Sequence, residues 1–411
     1  MRKFHYIIPL FIIMYLFAVA GYAEENNSPD VHKETEPAQI RDVIQFFDDV
    51  QDDAELQTTD ANLPTEYEKR KIALLPFDNV SNNIAALDII MPLLAGQLEK
   101  RGLEILHYEK VESFLCERRI RQASYISREV AQELGTTRSV NTIMAGAVLT
   151  FVSDGNPKIG IMARLIDIPT GLIVWSDYVS LTGEDFTKVL GLGTIKSVDK
   201  LIPEAINSLF SSLDNVSSDT TGEKTYKIAV LPFKNESGYR HAGMIINYLF
   251  QHELSNNLMF KPVDFGDVRK IMIDLRVGHK GEVDYVNLKS LSRALGVDVV
   301  LTGTVEEYVI GRDDSSPPRV TISARLLDSQ RSRIIWFDHH QLAGDQHIIA
   351  LDWGRLRSAD KVADTLIAGL VENMETEGMP LYRARLSPAD NIADATVSGL
   401  IQDVDAEILP Q

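Results

Sequence analysis

Lys71-Ile72-Ala73-Leu74-Leu75-Pro76-Phe77-Asp78-Asn79 recurs as Lys227-Ile228-Ala229-Val230-Leu231-Pro232-Phe233-Lys234-Asn235. Each stretch is a short, continuously apolar run, the pattern of a strand covered on both faces. Pro76 and Pro232 have no N–H to donate, so each strand should stop there. Outward from these runs the correspondence continues in the same order. Met144-Ala145-Gly146-Ala147-Val148 matches Leu301-Thr302-Gly303-Thr304-Val305, and Ala163-Arg164-Leu165-Ile166-Asp167 matches Ala324-Arg325-Leu326-Leu327-Asp328. Ile173-Val174-Trp175 matches Ile334-Ile335-Trp336, Gly183 matches Gly344, and Ser197, Asp199 and Lys200 match Ser358, Asp360 and Lys361. Blocks repeated in one order mark a tandem duplication.

Each copy reads as strand, helix, strand, helical stretches, an antiparallel meander and a last helix. In the first copy the helix lies near residues 84–101 and the second strand near 104–108. Helical stretches follow near 111–121 and 127–134. The meander spans 142–152, 158–167 and 172–181, with turn chemistry at Asp154-Gly155-Asn156-Pro157 and Asp167–Gly171. The last helix runs near 197–213. The second copy repeats the series, with Ser332 at the position of the turn residue Gly171. The fold class expected is α/β: two tandem α/β sandwich domains with mixed sheets.

The domain limits expected are a signal peptide at 1–23, an acidic segment at 24–69, a first domain at 70–213, a linker at 214–224, a second domain at 225–376 and an acidic tail at 377–411. Arg2 and Lys3 precede an uncharged apolar run from Tyr6 to Ala20, and Gly21-Tyr22-Ala23 supplies small residues before Glu24. That pattern predicts export with cleavage between Ala23 and Glu24. Retention as an anchor is the alternative, although the run is shorter than the roughly 20 residues a spanning helix needs. The only cysteine, Cys116, is far downstream, so no lipid anchor is expected and no internal disulfide can form. Cys116 sits in an apolar helical pattern and reads as a buried structural thiol. Ile40, Val43, Ile44, Phe47 and Val50 in the acidic segment, and Ile392, Val397, Leu400, Ile401 and Val404 in the tail, fall at helical spacing. The net charge of −18 makes a nucleic-acid partner improbable.

The repeat unit, with its Ile-Ala-Val-Leu-Pro-Phe-x-Asn strand, its Gly296–Val305 strand, its Ala324-Arg325-Leu326-Leu327-Asp328 strand and its Ile334-Ile335-Trp336 strand, resembles the superfamily of the TolB amino-terminal domain, the curli-secretion CsgG family and the LpoB-type activators of cell-wall synthases. The resemblance covers both copies. It implies an envelope protein that works by binding other proteins and does not catalyse a reaction. The chain departs from those relatives in lacking a lipobox cysteine, a downstream propeller and the alternating apolar outer face that a membrane-inserted hairpin requires.

No catalytic, cofactor or metal site is expected from the residues. His339 and His340 are adjacent on a strand and point to opposite faces, so with Asp338 and His347 they do not converge on one ion. Gly191-Leu192-Gly193, matched by Asp352-Trp353-Gly354, lacks the Gly-Lys-Ser/Thr of a phosphate loop and reads as a turn. Neither a nucleophile elbow nor His-Glu-x-x-His occurs. Arg164 with Asp167, and Arg325 with Asp328, read as a rim arginine and a turn-capping aspartate in each copy. Trp175 and Trp336 read as core or edge-packing aromatics. Pro76, Phe77, Gly146, Pro232, Phe233 and Gly303 complete the repeat signature. The function expected is a non-enzymatic periplasmic or secreted adaptor for envelope proteins. The alternatives are a subunit of an oligomeric secretion channel or periplasmic ring, hence a homo-oligomer, and a small-molecule-binding protein.

Overall fold

The computed structural model describes residues 71–382 apart from 154, 188–192, 214–225, 278–284, 312–315, 349–353 and 381. The expected signal with its Ala23/Glu24 junction, the acidic segment, the linker, the tail beyond residue 382, and Gly191, Leu192, Asp352 and Trp353 lie outside the described residues. The described residues belong to one compact body, Gln57–Gln411.

The first lobe comprises β1 (Lys71–Leu74), β2 (Asp78–Asn79), α1 (Ala86–Lys100), β3 (Glu104–Ile105), α2 (Tyr108–Glu117), α3 (Arg128–Arg138), β4 (Thr142–Val152), β5 (Lys158–Asp167), β6 (Ile173–Thr182) and α4 (Val198–Leu209). The second comprises β7 (Tyr226–Val230), β8 (Lys234–Asn235), α5 (Ala242–Asn256), β9 (Phe260–Pro262), α6 (Phe265–Asp274), α7 (Tyr285–Leu295), β10 (Val299–Val309), β11 (Arg319–Asp328), β12 (Ile334–Ala343) and α8 (Ala359–Asn373). The sheets share one strand order, β3-β1-β4-β5-β6 and β9-β7-β10-β11-β12, with β2 pairing β4 and β8 pairing β10. Each is mixed: β1 and β7 pair parallel, and the meanders pair antiparallel. The α/β class with two mixed sheets is therefore what the molecule shows.

Even the irregularities match. The register of β4 on β5 shifts between Val148 and Thr150, and that of β10 on β11 between Val305 and Glu307. A bulge at the same place in both lobes bends both meanders alike. At the next turn Gly171 has φ 68°, and Ser332 takes the same left-handed conformation at φ 53°.

Burial follows the two-sided strand pattern. In β1, Ile72 and Leu74 pack towards α1 and α4, while Ala73 and the adjoining Leu75 pack towards α2 and α3. Gly146 and Gly303 lie under the rings of Phe77 and Phe233. A Cβ on Gly146 would stand 2.3 Å from the Met162 carbonyl and 2.5 Å from the Phe77 ring; on Gly303, 2.2 Å from the Ser323 carbonyl and 2.4 Å from Phe233. The repeated Pro-Phe and the repeated glycine are thus one packing device.

Two expectations are corrected here. The strand expected at 104–108 pairs over two residues only, because the chain turns at His107 and α2 begins at Tyr108. Cys116 is exposed. Val111, Phe114 and Leu115 carry the apolar face of α2, and the next position points outward.

Candidate functional site

In each sheet the outer part of the meander has one face not covered by its own lobe. On the first lobe this face carries Ala147, Leu149, Gly160, Met162, Arg164, Ser176, Tyr178 and Ser180. It is covered by α5 of the second lobe, which is buried almost all round, from Ala242 to Leu254. A helix with so little solvent-facing surface must pack on two sides. Here one side is its own sheet and the other is the first lobe's.

The centre of this junction is charged. Arg164 is completely buried, and its Nε donates to Asp264 Oδ2 at 2.7 Å. Its Nη2 donates to the Ser124 carbonyl at 2.7 Å, and the guanidinium lies 5.7 Å from the Tyr248 ring. Asp264 uses its other oxygen to cap α6, accepting from the Gly266 N–H at 2.8 Å. One carboxylate therefore starts a helix and neutralises an arginine from the other lobe. Tyr248 donates to Asp78 Oδ2 at 2.7 Å and stacks on Tyr125. Burial raises the Asp78 carboxyl above its ordinary range, with Tyr248 and Arg164 pulling the other way.

Towards the other end, Tyr178 donates to Asp360 Oδ2 at 3.0 Å, Ser180 meets Ser358 at 2.8 Å, Lys158 donates to the Arg357 carbonyl at 2.7 Å and Arg357 pairs with Glu184 at 2.7 Å. Two glycines admit these contacts. A Cβ on Gly160 would stand 2.1 Å from Asp360 Oδ2, and one on Gly266 would stand 2.1 Å from the Ile126 carbonyl.

His252, Glu253 and Asp364 bring ligand atoms within 4.8 Å of one another between α5 and α8. The Lys361 ammonium, 3.0 Å from Asp364, already supplies positive charge there. Burial, with Asp364 adjacent, pushes the Glu253 carboxyl up to about 7. Burial takes His252 down to about 4. These shifts have opposite consequences. The unfolded chain loses the Glu253 proton near 4.5 and the folded chain near 7, so this group's contribution declines as pH rises through that window. The unfolded chain protonates His252 below 6.5 and the folded chain only near 4, so that contribution declines as pH falls. Glu253→Gln removes the first slope. Its melting temperature is expected to equal or exceed the parent's at pH 8 and to fall more steeply on acidification from 6.5 to 4.5. Parallel melting-temperature profiles for the two proteins would refute this assignment.

Beside the Arg164–Asp264 pair the lobes leave a cleft of about 690 Å³. Its first-lobe wall is the chain from Arg119 to Val130, and its second-lobe wall is α6. Ile120, Ile126, Val130 and Ile273 give it apolar surface, Ile273 being 48% exposed. Arg119, Arg121, Arg269 and Lys270 give it positive charge. Lys270 is engaged by Asp274 at 2.9 Å and Glu129 at 3.5 Å. Among the described residues no ion pair or side-chain hydrogen bond engages Arg119, Arg121 or Arg269. The arrangement can hold a negatively charged, partly apolar ligand.

The sequence-expected residues are distributed as follows. Asp167 and Asp328 cap turns, accepting from the N–H groups of Thr170 and of Gln330 and Arg331. Trp175 and Trp336 are buried. His339 and His340 sit exposed on the edge strand β12, one facing Glu306 and the other Asp338. Arg325 is an exposed rim residue over Phe337, but Arg164 is not: the second lobe buries it, which corrects the reading of the pair as equivalent. Sequence reasoning missed Asp264, Tyr248 and the cleft. The absence of a first-copy acid at the Asp264 position (His107 stands there) was the available signal.

Among the described residues no helix is long and apolar enough to cross a membrane. No family model matches the sequence, and no curated protein does. Solved structures show likenesses of partial extent. A PelC dodecamer from Paraburkholderia phytofirmans is 18% identical over 38% of this chain and 92% of that one, with a TM-score of 0.26. The lipoprotein GNA1162 from Neisseria meningitidis is 16% identical over 36% and 99%, at 0.28. The LpoB C-terminal domain from Escherichia coli is 15% identical over 33% and 93%, at 0.24. This chain is similar to each of them over about a third of its length.

Proposed function

We propose that this chain is a non-enzymatic, exported envelope adaptor that holds a partner protein at the junction of its two lobes. The observation that carries the reading is the cleft with three arginines that no described residue engages, in a chain whose net charge is −18. The walls come from different lobes locked together by a buried ion pair, so the surface is preorganised. The repeat signature, with its resemblance to partner-binding envelope proteins, supports the same role. A photo-crosslinking residue at position 273, introduced into the full chain in its native envelope, tests it. Discrete crosslinked protein adducts are expected there and not from position 109 on α2; equal labelling from both, or none, would remove the cleft as the partner site.

The ring-subunit reading has one observation against it. The second-lobe face that matches the buried junction carries Glu306, Arg325, Phe337, His339 and Gln341, all exposed and mostly polar. Repeat arrays end in such polar faces, which speaks against lobe-on-lobe stacking between chains.

A further inference from the structure

We infer that the segment held in the junction cleft is an acidic peptide bearing apolar side chains, contributed by a partner protein. The inference rests on the cleft being the partner site and adds the chemistry of what it takes. Three features select that chemistry. The cleft cations that no described residue engages are all arginines, whose planar forks pair with carboxylates through two parallel hydrogen bonds. The same cleft is lined by Ile273, half exposed on α6, and by Ile120, Ile126 and Val130. A free phosphate or other small anion has nothing to place on that apolar surface, whereas leucine or phenylalanine flanked by Asp or Glu does. The volume of about 690 Å³ admits several side chains.

The charge balance works in the same direction. The acids lining the cleft, Glu129 and Asp274, are already turned to Lys270, and Asp267 alongside is bonded to Arg128, its Oδ1 accepting from the Arg128 N–H at 2.6 Å. The arginines therefore keep a local positive field within an acidic protein. That field draws an acidic segment to the cleft while the remaining surface repels it, which steers the segment to one place.

The test uses the full chain and a fluorescent peptide with alternating Glu and Leu, its Gln/Leu isostere and its Lys/Leu counterpart. Binding of the Glu/Leu peptide alone is expected, weakening as salt rises. The variant Arg121→Glu/Arg269→Glu is expected to lower its affinity at least tenfold with an unchanged melting temperature, since neither side chain holds the fold together. Lys110→Glu on α2, outside the cleft, serves as the charge control and should leave affinity within twofold. Equal affinity for the Gln/Leu peptide, preference for the Lys/Leu peptide, no binding up to millimolar peptide, or an equal effect of the control would overturn the assignment. The crosslink at position 273 separates the two failures. Adducts mapping to a neutral or basic partner segment would sink the acidic peptide while leaving the partner site standing. Loss of adducts altogether would sink the partner site itself.

Discussion

Asp264→Ala is expected to destabilise the full chain by about 3–5 kcal/mol, the loss seen when one member of a buried ion pair is removed. Arg164 is fully buried, and among the described residues its Nη1 has no hydrogen-bond partner, so losing the carboxylate leaves a buried cation bonded to the Ser124 carbonyl, against the Tyr248 ring and near Asp78 but without its directly bonded counter-ion. The same substitution removes the cap of α6. Arg164→Met should come close in size, because it strands the Asp264 carboxylate. The double variant Arg164→Met/Asp264→Ala should lose clearly less than the sum of the singles, the signature of direct coupling. Arg325→Met is the internal control: the repeat position is the same, but the side chain is exposed over Phe337, and the expected change stays within about 0.5 kcal/mol. Urea unfolding of the four variants at fixed pH gives these numbers. Arg325→Met costing as much as Arg164→Met would show that the repeat position matters and the junction does not.

Gly146→Ala and Gly303→Ala should each cost about 3 kcal/mol, the upper part of the usual range for overpacking. The added Cβ would stand 2.3 Å from a backbone carbonyl in the first case and 2.2 Å in the second, and backbone yields less than a side-chain tip. Phe77 or Phe233 would also have to leave its rotamer. Because the lobes share a buried charged centre, both substitutions are expected to lower the midpoint of one common transition in calorimetry. Two resolved transitions, with each glycine moving only one, would show that the lobes unfold separately and that the junction contributes little.

Much of the architecture was legible in the chain. The meander strands at 142–152, 158–167, 299–309 and 319–328 carry period-two and continuously apolar patterns bounded by turn residues, and they fall where those patterns begin and end. The short pairings β3 and β9 were less legible, because a two- or three-residue strand has no periodicity to read. Cys116 was misplaced for a related reason: one step along a helix is a turn of about 100°, and an apolar neighbourhood does not say which side of Leu115 faces the sheet.

The candidate site was legible only in part. The sequence by itself determined two lobes of one topology, the proline stops, the recurrence of Gly146 and Gly303 and the turn-capping Asp167 and Asp328, because each depends on residues close in the chain or on pattern repeated between the copies. Only the tertiary structure decided that Arg164 is buried while Arg325 is exposed, that Asp264 is its counter-ion, and that Arg119, Arg121 and Arg269 face one cleft. The two arginines occupy the same repeat position, each between an alanine and a leucine. What differs is the helix α5 laid across one sheet face and absent from the other. The Arg164–Asp264 pair in the same junction joins residues 100 apart in the chain and leaves no periodic trace in either copy.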